Sequence, residues 1–530
     1  MLLDSLNPAA VAAGADVGDA VRIDGVTLSR SDLVGAATSV AERVAGAGQV
    51  AVLARPTAAT VLAITGCLIA GVPVVPVPAD VGAAERRHIL TDSGAQAWLG
   101  DKPDETDGLG HIPVRLHARS WHRYAEPSLD ATALIIYTSG TTGLPKAVVF
   151  NHGRWEKAYG AFGYSAVRLN KDDRLYSTLP FYHATGMVIC WASVIAPAGG
   201  LAIARKFSAS RFWDDIRKHN CTAFGYVGEL CRYLHEQPEK PDDGDNPVHT
   251  IVGNGLRPSI WKEFKNRFGI ERVVELYASS EGNVAFTNVF NFDNTVGFSP
   301  VSYAIVKYDK EADEPVRDDK GFMIKVGKGE SGLMLGEITD KTPFDGYTDK
   351  DKTEKAIFRD VFKKGDAWFN TGDMMRDIGF RHAQFVDRLG DTFRWKGENV
   401  STTEVEQILD GFEQIVESVV YGVEIPGTNG RAGMAELRLD RPHEEVDWPA
   451  LCAYLKRELP PYAIPVFLRI TDHGVETTGT FKHQKNTLKE EKYDLNRHND
   501  PVYVLLPGES GYQRLTPEIQ AGIEAGRYRF

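Results

Sequence analysis

The densest set of chemistry-bearing residues lies between two β-rich runs, Leu134 to Tyr137 and Ala147 to Phe150, in the segment Thr138-Ser139-Gly140-Thr141-Thr142-Gly143-Leu144-Pro145-Lys146. Gly140 and Gly143 let backbone N–H groups turn toward an anion, and the hydroxyls of Ser139, Thr141 and Thr142 donate further hydrogen bonds. Lys146 adds a point charge. This composition suits the grip of a polyphosphate. The spacing is not G-x-x-x-x-G-K-[ST], and no G-x-G-x-x-G opens a helix, so neither the P-loop nor the dinucleotide fingerprint is matched. The plainer alternative is a polar hairpin turn, because Gly, Ser and Thr are ordinary turn residues.

The elements around this loop read as alternating strands and helices. Asp24-Gly25 marks a hairpin over Val21–Leu28, and Ser29 to Asp32 offers capping side chains for a helix through Ala45. A strand at Val50–Leu53, a helix at Ala58–Ala70, an extended segment at Val72–Val77, a helix at Ala83–Asp92 and a strand at Ala97–Leu99 follow. Pro73 and Pro76 place the extended segment at a strand end or sheet edge. From 151 to 300 the alternation continues, with strands at Arg174–Thr178, Leu201–Ile203, Thr222–Tyr226, His249–Gly253 and Val273–Leu276, and helices at Ala209–His219, Gly228–Glu236 and Arg257–Phe268. Such alternation argues a parallel α/β sheet. Short β runs dominate from Pro300, and a boundary falls near Asp387–Asp391. Beyond it, helices at Thr402–Phe412 and Trp448–Leu459 and strands at Ile415–Val423, Gly433–Leu439 and Phe467–Ile470 make a compact α+β piece.

With 530 residues, 43% hydrophobic and 25% charged, the composition is that of a globular chain of several domain-sized units. A net charge of −12 with no block of Lys and Arg argues against a nucleic-acid binder. The five cysteines are scattered with no C-x-x-C, which points away from a disulfide framework and toward a reducing cytoplasm. The first twenty residues carry no basic region and do not read as a secretory signal. Thr60–Ala79 is uncharged over twenty residues, but Gly66, Gly71, Pro73, Pro76 and Pro78 break it, so it reads as a buried helix and a short strand rather than a membrane span.

Taken whole, the 139–146 loop resembles the phosphate-loop signature of the adenylate-forming superfamily, which includes acyl-CoA synthetases, aryl-CoA ligases, luciferases and nonribosomal adenylation domains. The resemblance implies roles for later motifs. Tyr277-Ala278-Ser279-Ser280-Glu281 is similar to Y-G-x-T-E, whose aromatic stacks on adenine and whose acid, with Thr142, would hold Mg²⁺; Ala278 and Ser280 depart from that pattern. Gly253-Asn254-Gly255 resembles the second adenine-contacting turn. Thr371-Gly372-Asp373 resembles the motif whose Asp accepts the ribose hydroxyls, and Arg388 the arginine that also reaches the ribose. Read alone, the first of these is an ordinary turn and Asp387-Arg388 a solvated ion pair. Among Lys482, Lys485 and Lys489, the pattern selects Lys482, six residues before Leu488, to neutralise charge at the α-phosphate; Phe481 stands where the family usually has Gly. His183, in Pro180-Phe181-Tyr182-His183-Ala184-Thr185-Gly186, would line the acyl pocket and position substrate and thiol.

Val227 to Leu234, Gly253 to Pro258 and above all Arg394 to Glu406 are similar to the branch of fatty-acid transport proteins and very-long-chain acyl-CoA synthetases, from about residue 131 onward. Residues 1–130 look more like short-chain or malonyl-type acyl-CoA synthetases. The expected fold is therefore α/β, with a large N-terminal domain, 1–388, of mixed and parallel sheets flanked by helices and carrying a β-rich subdomain, and a small mobile α+β domain, 389–530. Gly390 would be the hinge, and a Trp395–Thr403 strand with Trp395, Lys396, Gly397 and Glu398 the CoA side. The resemblance implies a cytoplasmic enzyme, with a peripheral contact at the inner face of the cell membrane, that uses ATP, Mg²⁺ and CoA to activate a long- or very-long-chain fatty acid. A fatty-acid uptake protein at the membrane face and a ligase that loads a carrier protein stay open as alternatives.

Overall fold

The computed structural model describes residues 19–23, 25–138, 145–279, 282–309, 312, 314–344, 350–389, 392–396, 398–428, 430–472 and 485–530. Its chain contacts divide these into two units. The first takes 19–279 and 285–298, and the second takes 282–284, 299–344 and 350–530.

The first unit holds two sheets. One runs in the order Gly110–Ile112, Ala97–Leu99, Val50–Leu53, Val74–Val77, Thr132–Thr138 and Lys146–Asn151. Its first five strands are parallel neighbours and the last is antiparallel. Val74–Val77 is an inner strand and not a sheet edge, and of the two placements its prolines allowed it takes the strand end, with Pro73 just before it and Pro76 its penultimate residue. Pro76 is tolerated there because the strand's ladder to Thr132–Thr138 is confined to Val74 against Leu134, two residues before Pro76. The other sheet has six parallel strands in the order Arg272–Ala278, Thr250–Asn254, Ala223–Val227, Arg174–Ser177, Gly200–Ile203 and Asp19–Ile23. These strands read as buried apolar runs, as expected when helices cover both faces.

Local chemistry explains the helices that flank them. Ser29 caps Arg30–Val44 in a reciprocal capping box with Asp32. The neighbouring helix Ala58–Ala70 is apolar all round and buried, and at Gly66 an added Cβ would lie 2.6 Å from Val40, so the two helices close on each other at that glycine. The uncharged 60–79 stretch is thus spent on core packing. Among the described residues, no helix is long and apolar enough to cross a membrane.

In the second unit, Tyr303–Val306, Ser331–Glu337, Ala367–Gly379 and His382–Arg388 form antiparallel ladders. A five-stranded sheet, ordered Ile415–Val423, Ala432–Leu439, Phe467–Ile470, Val502–Val504 and Gln513–Arg514, packs with the helices Thr402–Asp410 and Trp448–Glu458 around its own apolar cluster. The boundary read at 388/389 falls inside this unit. All five cysteines are buried as free thiols, Cys67, Cys190, Cys221 and Cys231 in the first unit and Cys452 in the second.

Candidate active site

Thr138 and Lys146 face each other as the last antiparallel pair of Thr132–Thr138 and Lys146–Asn151, so the phosphate-loop candidate joins two adjacent strand ends. Ser139, Gly140, Thr141, Thr142 and Gly143 lie outside the described residues. Both flanks of the loop are fastened to one helix, Ala83–Ser93. His88 Nε2 lies 3.0 Å from the carbonyl oxygen of Pro145, and since a carbonyl can only accept, Nε2 carries the proton. One turn further on, Asp92 accepts the Tyr137 hydroxyl at 2.7 Å. Burial and that carboxylate hold the Tyr137 phenol above its ordinary range. His88 and Asp92 were not singled out in the sequence, where only their i, i+4 spacing could have marked them.

The glycine turn stands at the carboxyl end of Thr250–Asn254, next in the sheet to Arg272–Ala278, which carries Tyr277 and Ala278 and leads into Ser279. Open α/β sheets place ligands at this end of their strands. Gly253 permits the close approach of the neighbouring strand, since a Cβ there would sit 2.0 Å from the Tyr226 carbonyl oxygen. Gly255 has φ +85°, and its carbonyl oxygen comes within 1.8 Å of where a Gly228 side chain would begin, so both positions demand glycine. Asn254 and Tyr277 are half-buried, and the Phe286 ring meets Tyr277 edge-on at 6.1 Å. Ser280 and Glu281 lie outside the described residues.

Beneath this turn lies Glu275, 4% exposed, in the apolar run Val273 to Leu276. Its carboxyl accepts the Gly255 N–H, the Leu256 N–H at 3.3 Å and the Tyr226 hydroxyl. Burial pushes this carboxyl up to about 8, against the pull of those three donors. On the far side of the turn, Glu229 accepts Arg257 at 2.7 Å and Arg232 at 2.7 Å. His183 sits just before a π-helical stretch, Thr185–Cys190, where its carbonyl accepts the Met187 N–H at 3.0 Å and its ring tilts against Tyr182 at 4.5 Å.

In the second unit the T-G-D motif is part of a ladder rather than a free turn. Asp373 pairs in register with Arg388 across Ala367–Gly379 and His382–Arg388. The Asp373 carboxylate is 2% exposed and accepts Arg388 Nε at 3.0 Å, while the Arg388 side chain is 56% exposed. Thr371 donates to the Met334 carbonyl at 2.8 Å and accepts the Asp373 N–H at 3.1 Å, which fixes the segment from behind. Asp387 turns the other way, taking the Ser401 hydroxyl at 2.8 Å, and Ser401 in turn caps Thr402–Asp410.

Phe393–Trp395 and Glu398–Val400 form a tight hairpin, with Lys396 at φ +54° and Trp395 buried. The continuous Trp395–Thr403 strand expected from sequence is therefore replaced by a hairpin and the start of a helix, because Lys396 turns the chain and Ser401 caps the next element. Gly397, Gly390 and Lys482 lie outside the described residues. Lys485 is committed elsewhere, donating to Glu406 at 2.9 Å and Thr402 at 3.2 Å. Among the described residues, no group of three or more His, Cys, Asp or Glu is arranged to hold a metal ion, and the Mg²⁺ candidates Thr142 and Glu281 are not among them.

Largely parallel sheets flanked by helices define an α/β protein, a class in which ligands bind at the carboxyl ends of the strands. More specifically, the chain belongs to the AMP-binding enzyme family, which residues 18–329 match. It is 49% identical over 396 residues to the medium/long-chain-fatty-acid–CoA ligase FadD6 of Mycobacterium tuberculosis, covering 75% of this chain and 66% of that protein. It is 44% identical over 428 residues to long-chain fatty acid transport protein 2 of Rattus norvegicus, covering 79% and 67%. The chain thus spans about two thirds of the length of these relatives. Its fold matches that of ATP-bound MatB from Rhodopseudomonas palustris with a TM-score of 0.76 at 20% identity, over 92% of this chain and 99% of that one. The expected mixed α/β fold is borne out.

Proposed function

We propose that this chain is an AMP-forming fatty-acid–CoA ligase. The observation that carries the reading is the in-register Asp373–Arg388 pair, a buried carboxylate with a half-exposed arginine on neighbouring strands, found in a chain 49% identical to a fatty-acid–CoA ligase. In the first half-reaction a carboxylate oxygen of the acid bonds to the α-phosphorus of ATP, the bond to the β-phosphoryl oxygen breaks, and pyrophosphate leaves with the electron pair. In the second, the CoA sulfur bonds to the acyl carbon, AMP leaves, and the thiol proton passes to solvent.

The 139–146 loop, with Thr141, Thr142 and Lys146, would hold the phosphates, and Tyr277 with the Gly253–Gly255 turn would receive the base. Asp373 would accept the ribose hydroxyls, helped by Arg388. Chemistry of this kind is chiefly positioning and charge neutralisation. Lys482 would neutralise the α-phosphate, a reading supported by the commitment of Lys485 to Glu406. Mg²⁺ would be held by Glu281 and Thr142 through hard oxygen donors and would supply neutralising charge on the polyphosphate. Residues 389–530 would form the lid domain, turning about Gly390 between the half-reactions, with Trp395, Lys396, Gly397 and Glu398 on the CoA side and His183 toward the acyl group.

The similarity to a long-chain fatty acid transport protein favours a second reading, in which the enzyme works in the cytoplasm against the inner membrane face and acylation traps imported acid. Pyrophosphate release from ATP, measured with acids of two to twenty-four carbons with and without CoA, tests both. Release with long acids that proceeds to acyl-CoA is the expected result. Release that stalls at acyl-AMP unless a carrier protein is added would move the acceptor, and no release with any acid would sink the enzyme reading.

A further inference from the structure

The three strands Arg272–Ala278, Thr250–Asn254 and Ala223–Val227 are consecutive parallel neighbours, and Glu275 connects all three at their carboxyl ends. It takes two N–H groups from the turn that follows the middle strand and the Tyr226 hydroxyl from the third. Glu275 stands two residues before Tyr277 and faces inward, so it lies under the proposed base site without being part of its surface. A carboxyl taken out of water is costly, and an apolar side chain could fill the same space. What an apolar side chain could not do is orient peptide planes. A trans peptide sets its C=O opposite its N–H, so tying the N–H groups of Gly255 and Leu256 to one carboxyl also fixes the carbonyls of Asn254 and Gly255. The Glu229–Arg257 pair then holds the next residue from the helix side.

We propose that Glu275 is a positioning residue for nucleotide binding, which sets the shape of the 253–257 turn through its main chain and does not touch the ligand. This rests on the nucleotide-binding reading above. The titratable groups that face it are Tyr226 from the strand Ala223–Val227 and Cys231 from the helix Gly228–His235. The Tyr226 hydroxyl is a donor that favours the ionised carboxyl, so its removal would move the Glu275 titration to higher pH.

The test is AMP binding by the full chain, followed by calorimetry between pH 6 and 9, for the wild type, Glu275→Gln and Tyr226→Phe. Glu275→Gln keeps the volume and, like the protonated carboxyl, carries a donor, but it cannot shed that donor as pH rises. The expected result is an AMP affinity that no longer changes near pH 8 and lies about tenfold below that of the wild type at pH 9, where the wild-type carboxyl is ionised. Tyr226→Phe should lower affinity about threefold and shift that dependence upward. In turnover, the KM for ATP should rise while the KM for the acid holds. If both variants bind AMP as the wild type does with the same pH profile, Glu275 is core filling and the inference falls. Should Glu275→Gln fail to fold, Tyr226→Phe decides alone through its pH shift. A wild type that binds neither AMP nor ATP at any pH would instead remove the nucleotide reading, and this inference with it.

Discussion

At Gly253–Arg257 the first unit fixes main chain, with Gly253 where neighbouring backbone leaves no room for a Cβ, Gly255 in left-handed backbone, and a buried carboxyl gathering the N–H groups. At Asp373 and Arg388 the second unit fixes charge, a carboxylate sealed into a ladder and a guanidinium that reaches out from the next strand. The turn offers a surface whose shape matters and whose charge is hidden, which suits a flat, neutral base. The pair offers a strong acceptor, which suits hydroxyl donors. The comparison teaches that the two regions should fail in different ways, one through shape and buried protonation, the other through lost charge.

The largest effect should come from breaking the charged side. Asp373→Asn keeps the volume but removes the charge that strengthens hydrogen bonds to the ribose, each worth about 1.5–3 kcal/mol. A loss of about 10³-fold in kcat/KM for ATP is expected in steady-state kinetics, with acid specificity unchanged. An unchanged value would detach Asp373 from the nucleotide.

Next in size is the buried protonation of Glu275. A carboxyl raised to about 8 in the folded chain binds its proton where the unfolded chain, with an ordinary value of 4.5, has lost it. Its stabilisation is therefore complete below about pH 4.5 and is lost as pH rises to about 8. Urea midpoints of the wild type should fall relative to Glu275→Gln across that window, by roughly 4 kcal/mol in unfolding free energy. Parallel midpoints would mean that the three donors keep the carboxyl ionised throughout.

The smallest change should follow Arg388→Lys. The arginine is more than half exposed, so its ion pair with Asp373 is worth below about 1 kcal/mol and the melting temperature should barely move. The flat guanidinium is still lost as a donor, and the KM for ATP should rise about tenfold. A large stability loss with an unmoved KM would make the pair structural, and the contrast between the two regions would dissolve.

Much of the fold was legible because its signals are local. Ala58–Ala70 and Phe467–Ile470 lie where composition and punctuation put them, and Ser29 with Asp32 announced a helix start. The helical segments between His152 and Ile195 were missed. There Gly160, Gly163 and Gly186 interrupt the pattern, two six-residue stretches wind as π-helix, and the last turns are buried on all sides, so no 3.6-residue stripe survives. In the candidate site, glycines and motif acids could be read from type and spacing. The supports could not, because Glu275, His88 and Asp92 act on partners between 19 and 57 residues away, which only the assembled sheets bring near. Lys396 misled for a local reason, since a lysine in left-handed backbone breaks what reads as a continuous strand.

The buried thiols give this molecule a clock. Burial pushes Cys190 and Cys221 up to about 12 and raises Cys67 and Cys231 as well, so alkylating reagents will find almost no thiolate while the first unit is closed. Labelling can then proceed only through opening of the chain, and Cys452 is the sole cysteine of the second unit. Mass spectrometry of the alkylated peptides would therefore time the opening of each unit separately in a single tube, with no engineered probe.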